Sequence, residues 1–179
     1  MLTYKQYYRQ LQELSLPDIH GSECITKVLL TCFKNGDEMV IRVKPTQKII
    51  HRCILESIKV NYIDLKISYS KIYQEPILLL QIWIELNPDD DKNVEIMENI
   101  DNSKLFYPKG LQYILNIPPD QYEIELDTLS GSQMTHNSAW YSFHPCNTSN
   151  MIGSDSRYLN SYLQRWVSVF IISWWLSNS

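Results

Sequence analysis

Ile77 to Leu86 is a nearly unbroken apolar run that contains Trp83. A run of this kind is expected of a central strand, covered on both faces. The chain must therefore build a sheet around it, and the preceding residues supply further strands. Cys24 to Phe33 and Glu38 to Lys44 are rich in β-branched and apolar residues, with Asn35-Gly36 between them. Asn-Gly is the strongest short signal for a hairpin turn. Ile58 to Tyr69 alternates, first as Ile58, Val60, Tyr62 and then as Leu65, Ile67, Tyr69. The phase slips at Ile63-Asp64, which predicts a bulge there. Tyr73-Gln74-Glu75-Pro76 connects this strand to the apolar one.

Helices flank the strands. Tyr4, Tyr7, Tyr8, Leu11 and Leu14 recur at helical spacing, Thr3 with Gln6 has the form of a capping box, and Pro17 and Gly21 end the segment. From Ser156 onward, Leu159, Tyr162, Leu163, Trp166, Phe170 and Trp174 line one helical face. Beyond Val167 the apolar residues run nearly all round, as in a helix sandwiched between other elements. Between sheet and final helix, Asn87 to Asp91 is an acidic turn without the alternating ligand spacing of a calcium loop. Residues 87–120 read as an irregular insertion. Tyr122 to Asp127 and Ala139 to Phe143 read as two more strands. The plan is α+β: an antiparallel β-meander with N-terminal and C-terminal helices packed on it.

At 179 residues the chain is expected to be one domain, 1–179, with a core that needs no staples. The net charge of −4 leaves no basic footprint, so nucleic acid is not an expected partner. Four cysteines without a Cys-x-x-Cys pair fit neither a common zinc spacing nor a disulfide framework, and no cofactor or metal is expected. Tyr4, Lys5, Gln6 and Arg9 interrupt any signal-peptide core. The apolar stretch Trp166 to Leu176 falls short of the about 20 residues that span a bilayer. A reducing cytoplasmic setting without stable membrane insertion is the simplest expectation.

One cysteine stands apart. Trp140-Tyr141-Ser142-Phe143 is strand-like and ends in His144-Pro145-Cys146, followed by polar Asn147, Thr148, Ser149 and Asn150. Proline fixes its own φ and pushes the preceding residue out of the helical region, so Cys146 follows a stiffened backbone. Most cysteines are packing residues, and Cys24, Cys32 and Cys53 keep that reading beside their apolar runs.

Helix, meander, cysteine after a short strand, then helix is the order of ubiquitin-conjugating enzymes. This chain lacks their His-Pro-Asn; His144-Pro145 runs straight into Cys146. In that contraction it resembles the autophagy conjugating enzymes. Of their two kinds, the blocks Tyr69 to Leu80, Trp140 to Ser149 and Tyr162 to Ser168 resemble the family of autophagy-related protein ten. The sister kind, which moves a modifier onto a phospholipid, is longer and carries a disordered acidic insertion. The resemblance implies a ubiquitin-conjugating-enzyme-like fold. It also implies an activity: a ubiquitin-like modifier, autophagy-related protein twelve, is received from an activating enzyme, autophagy-related protein seven. It is held as a thioester on Cys146 and passed to a lysine of autophagy-related protein five, with peripheral recruitment to autophagosome-forming membranes. A non-catalytic binding module on the same fold and a thiol hydrolase are the competing classes.

The chemistry asks for helpers. A free lysine titrates near about 10.4, so deprotonating it at neutral pH costs about 4 to 5 kcal/mol. The oxyanion of the attacked thioester needs a donor, often worth about 3 kcal/mol. His144, two positions before Cys146, is one candidate donor; a structural histidine fixing the turn is the equal alternative. Tyr73 is the second: the family pattern has a tyrosine near the cysteine at this point, and a tyrosine packed at a strand end is the alternative. Asn147 is a weaker donor candidate, and Asp127 a candidate for helping deprotonate the lysine. An acceptor is expected to dock on an exposed strand edge or near Ile63 to Tyr73, with Lys66, Ser68 and Ser70 facing outward.

Overall fold

The computed structural model describes residues 2–14, 25–33, 36–45, 59–85, 103–108, 111, 124–127, 139–143, 148, 152–153 and 160–176. Helix α1 spans Tyr4–Glu13, followed by strands β1 (Ile25–Phe33), β2 (Gly36–Val43), β3 (Val60–Ser70), β4 (Glu75–Glu85), β5 (Ser103–Phe106), β6 (Ile124–Asp127) and β7 (Trp140–Phe143). Helix α2, Tyr162–Val167, continues as π-helical turns over Ser168–Leu176. The described strands form one antiparallel sheet in the order β1-β2-β3-β4-β7-β6, with β5 also on β4. The expected α+β architecture is thus present.

β4 is central, as its apolar run predicts. Leu80 pairs with Leu65 of β3 and with Tyr141 of β7, and Ile82 pairs with Ile63 and with Phe106 of β5. β2 begins at Gly36, opposite Phe33, two residues before the expected start. Residues 34–35, including the Asn35 of the turn signal, lie outside the described residues. Within the stretch read as an irregular insertion, Ser103–Phe106 forms β5. Four residues are too few to show a strand period.

Two faces of the sheet are occupied. On one, rows Met39-Ile67-Leu78, Ile41-Leu65-Leu80-Tyr141 and Val43-Ile63-Ile82 meet Tyr7 and Leu11 of α1 and Leu163, Trp166 and Val167 of α2 in one apolar core. The capping box of α1 forms as expected: Gln6 N–H donates to Thr3 Oγ1 at 3.3 Å and Thr3 N–H to Gln6 Oε1 at 2.9 Å. Its buried face differs from the expected one. Tyr4 is partly exposed, while Gln10 is buried and its Oε1 accepts Leu163 N–H at 2.8 Å. A polar side chain thereby satisfies a free amide at the start of α2 and joins the helices. Pro17, Gly21 and Leu159 lie outside the described residues.

The other face holds charge. The Asp64 carboxylate accepts from Arg42 Nε at 2.7 Å, Arg42 Nη2 at 2.8 Å and Trp83 Nε1 at 3.0 Å. The Arg42 guanidinium lies 3.8 Å over the Tyr62 ring. Beside this network Lys66 is only 2 % exposed, with Nζ 3.6 Å from Glu38 Oε2 and 4.3 Å from the Trp140 ring centre. The bulge lies not at Ile63-Asp64 but between Val60 and Tyr62, and the register against β4 is unbroken from Tyr62 to Ser70. The extra residue is Asn61, whose Nδ2 donates to Ser103 Oγ at 2.6 Å and ties β5 to β3. Nor is β3 an exposed edge: it lies between β2 and β4, and Lys66 points into a buried polar layer. Period-two alternation separates the faces of a strand, but it does not say whether the polar face meets water.

Candidate active site

β7 is short but firmly seated. Ala139 O accepts from Gln81 Nε2 at 2.9 Å and from the Tyr107 hydroxyl at 3.1 Å. The Tyr141 hydroxyl donates to Pro108 O at 2.9 Å. Burial first, with Tyr107 beside it, pushes the Tyr141 phenol up to about 12, so it remains a donor. Ser142 pairs with Leu79, and β7 runs antiparallel to β4. The strand therefore travels toward the end of the sheet where β4 starts, which is the end holding the β3–β4 turn.

His144, Cys146 and Asn147 lie outside the described residues, as does the side chain of Asp127, the last residue of β6. Cys146 follows Phe143 by three positions and precedes Thr148 by two. Phe143 and Thr148 are both buried.

Tyr73 is described. It stands in the turn 71–74, 48 % exposed, and its N–H donates to Ser70 Oγ at 3.2 Å. Gln74 follows with φ of 53°. Leu2 N–H donates to Gln74 O at 3.0 Å, and the Tyr69 hydroxyl donates to Leu2 O at 2.6 Å. Tyr73 is thus a half-exposed tyrosine on a pinned turn.

Glu75, the first residue of β4, received no role from the sequence, although it stands two residues after Tyr73 inside the block that carries the resemblance. A carboxylate opening an apolar strand was the available signal. It faces Tyr162 of α2, yet Glu75 Oε2 and the Tyr162 hydroxyl are buried with no hydrogen bond closed on either. Burial raises the Glu75 carboxyl above its ordinary range, and burial together with the Glu75 charge raises the Tyr162 phenol strongly. A carboxyl raised by folding favours the folded state at acid pH, and that contribution is lost as pH rises through the folded-state value. Glu75→Gln should therefore raise stability slightly at pH 7, with the gain vanishing below the ordinary carboxylate range. Urea unfolding at pH 7 and pH 4 measures this; a variant less stable than the parent at pH 7 would refute the burial argument.

No described helix is long and apolar enough to cross a membrane. The family described as "Autophagocytosis associated protein, active-site domain" matches residues 4–179. A Saccharomyces cerevisiae relative, "Ubiquitin-like-conjugating enzyme ATG10", is 35% identical over 178 residues, 97% of this chain and 96% of the relative. A Candida glabrata protein of the same description is 34% identical over 113 residues, 62% of this chain and 65% of that protein. The crystal structure of the autophagic E2 Atg10 superposes with a TM-score of 0.66 at 31% identity, covering 97% of this chain and 96% of that one. Solution structures of KmAtg10 share the fold at 17% identity, with a TM-score of 0.61 over 97% of this chain and 95% of that one.

Proposed function

The chain belongs to the autophagocytosis-associated family of ubiquitin-like-protein conjugating enzymes, and on that premise we propose that Cys146 is its thioester-forming nucleophile. The modifier is autophagy-related protein twelve, delivered by autophagy-related protein seven, and the acceptor is a lysine of autophagy-related protein five. The reaction takes place in the cytoplasm, with peripheral recruitment to autophagosome-forming membranes.

In loading, the Cys146 thiolate attacks the carbonyl of the modifier's C-terminal thioester, and the activating enzyme's thiolate leaves. In discharge, the lysine amine attacks the new thioester, an isopeptide bond forms, the lysine proton is lost and the Cys146 thiolate leaves. A thiol near its ordinary value of about 8.5 balances nucleophilicity against thiolate fraction in the first step. The second step employs the poorer nucleophile and depends most on a donor for the oxyanion.

The observation that supports this reading is the direction of β7. Its register with β4 aims the strand that precedes Cys146 at the sheet end bearing the half-exposed Tyr73. Tyr73 and His144 are the donors of this proposal, with Asn147 as a weaker third and Asp127 as a base for the lysine. Incubation with activating enzyme, modifier and ATP should give a reductant-sensitive adduct on Cys146. Addition of the acceptor, without a ligase, should convert it to a reductant-resistant conjugate; no adduct on Cys146 would refute the assignment.

Tyr73→Phe and His144→Ala should each slow lysine discharge by about tenfold or more, as expected for loss of an oxyanion donor. Loading should be much less affected. Single-turnover measurement of both steps decides the matter, since equal losses would make the residue structural.

A further inference from the structure

We infer that Tyr69 and the main chain of Leu2 form a clamp across the β3–β4 turn that sets the position of Tyr73 for transfer. The inference rests on the donor role proposed for Tyr73 and deepens it. The turn has little packing of its own. Residues 71–74 are exposed, and Ile72 at its tip is 88 % exposed. It also contains a glutamine in the left-handed region, at φ of 53°. For a residue with a Cβ that conformation is costly and persists where the surroundings over-determine it.

The surroundings here include the peptide segment of Leu2. Leu2 is completely buried, and it is bonded to both sides of the turn. Its N–H reaches Gln74 O, just after Tyr73, at 3.0 Å. Its carbonyl accepts the hydroxyl of Tyr69, just before the turn, at 2.6 Å. The Tyr69 ring is held in turn, 5.6 Å from the Tyr4 ring and 5.2 Å from the Tyr7 ring. Burial raises the Tyr69 phenol, which keeps it protonated as a donor. With both flanks tied to Leu2, the exposed Tyr73 side chain projects from a backbone of fixed shape. Preorganisation of this kind matters for a donor that must meet an oxyanion within hydrogen-bond distance. Tyr69 thereby acts through Tyr73, as a positioning residue.

A double-mutant cycle tests this, read in single-turnover loading and discharge on the full chain. Tyr69→Phe removes only the hydroxyl. It should slow lysine discharge about three- to tenfold, the range of one neutral hydrogen bond, with loading little changed. In the Tyr73→Phe background the same substitution should have no further effect on discharge. Tyr7→Phe is the control. It deletes a comparable hydroxyl, bonded to Ile67 O at 3.3 Å in the same aromatic cluster but away from the turn, and should leave discharge unaltered. Hydrogen exchange at the Leu2 amide should speed up in Tyr69→Phe and not in Tyr7→Phe, which reports on the clamp without reference to activity. If Tyr73→Phe slows discharge and Tyr69→Phe does not, the clamp is refuted while the donor role stands. If Tyr73→Phe has no effect, the donor role fails and the clamp's function with it. Equal slowing by Tyr69→Phe in both backgrounds means that the effect bypasses Tyr73 and also overturns the inference.

Discussion

Replacing Cys146 by serine should abolish lysine transfer, a loss on the order of a thousandfold or more, as for removal of a nucleophile elsewhere. The serine hydroxyl can still capture the modifier, but as an oxygen ester that resists thiol reductants. Its alkoxide is a far poorer leaving group than a thiolate, so discharge stops and the adduct accumulates. The expectation follows from the setting of Cys146, between the end of β7 and the buried Thr148, with polar residues after it. Mass spectrometry of the loaded variant and its behaviour in reductant provide the measurement. A full reductant-sensitive adduct on Cys146→Ser would move the nucleophile to another cysteine. Cys32→Ser, within β1, should load and discharge as the parent does.

Asp64→Ala should cost about 3 kcal/mol of stability, the cost of breaking a buried pair by removing one partner. For a domain of this size that corresponds to a fall in Tm of about 6 to 12 °C. The carboxylate is only 4 % exposed, accepts two hydrogen bonds from Arg42, and receives the indole N–H of Trp83. Its removal takes from the part-buried Arg42 guanidinium, stacked over Tyr62, the carboxylate it binds through two nitrogens. Replacing both members by apolar residues, as Arg42→Met with Asp64→Leu, should cost much less than Asp64→Ala alone, because no charge is then left behind. Chemical denaturation of the three proteins tests the claim. A loss below about 1 kcal/mol for Asp64→Ala would equate the pair with an ordinary surface ion pair.

Local signals carried much of the architecture. The apolar run from Ile77 predicted the central β4, and the reciprocal Thr3 and Gln6 predicted the start of α1. Tyr162, Leu163, Trp166 and Phe170 predicted the buried face of the last helix. Each is a property of a few consecutive residues, so period and capping chemistry suffice to read it. The family was legible as well, since the three blocks Tyr69 to Leu80, Trp140 to Ser149 and Tyr162 to Ser168 stand in order along the chain.

Only the tertiary structure decided what each surface meets. Lys66 read as an outward position because charge usually lies in water, and nothing in the sequence marked Asp64 beside it as buried. Arg42, Glu38 and Trp140 arrive from other strands to pair with them, and nothing within β3 announces those partners. The phase change read at Ile63-Asp64 reflects Tyr62 on the polar face with Arg42, whereas the bulge falls at Asn61, whose side chain bonds Ser103, 42 residues away. Likewise Tyr73 was a candidate from the sequence, whereas the hold of Leu2 and Tyr69 on its turn was not legible there. The chain specifies its elements through local period and capping. Burial of charge, register between distant strands and the pinning of an exposed turn arise from partners that folding brings together, so they belong to the tertiary structure.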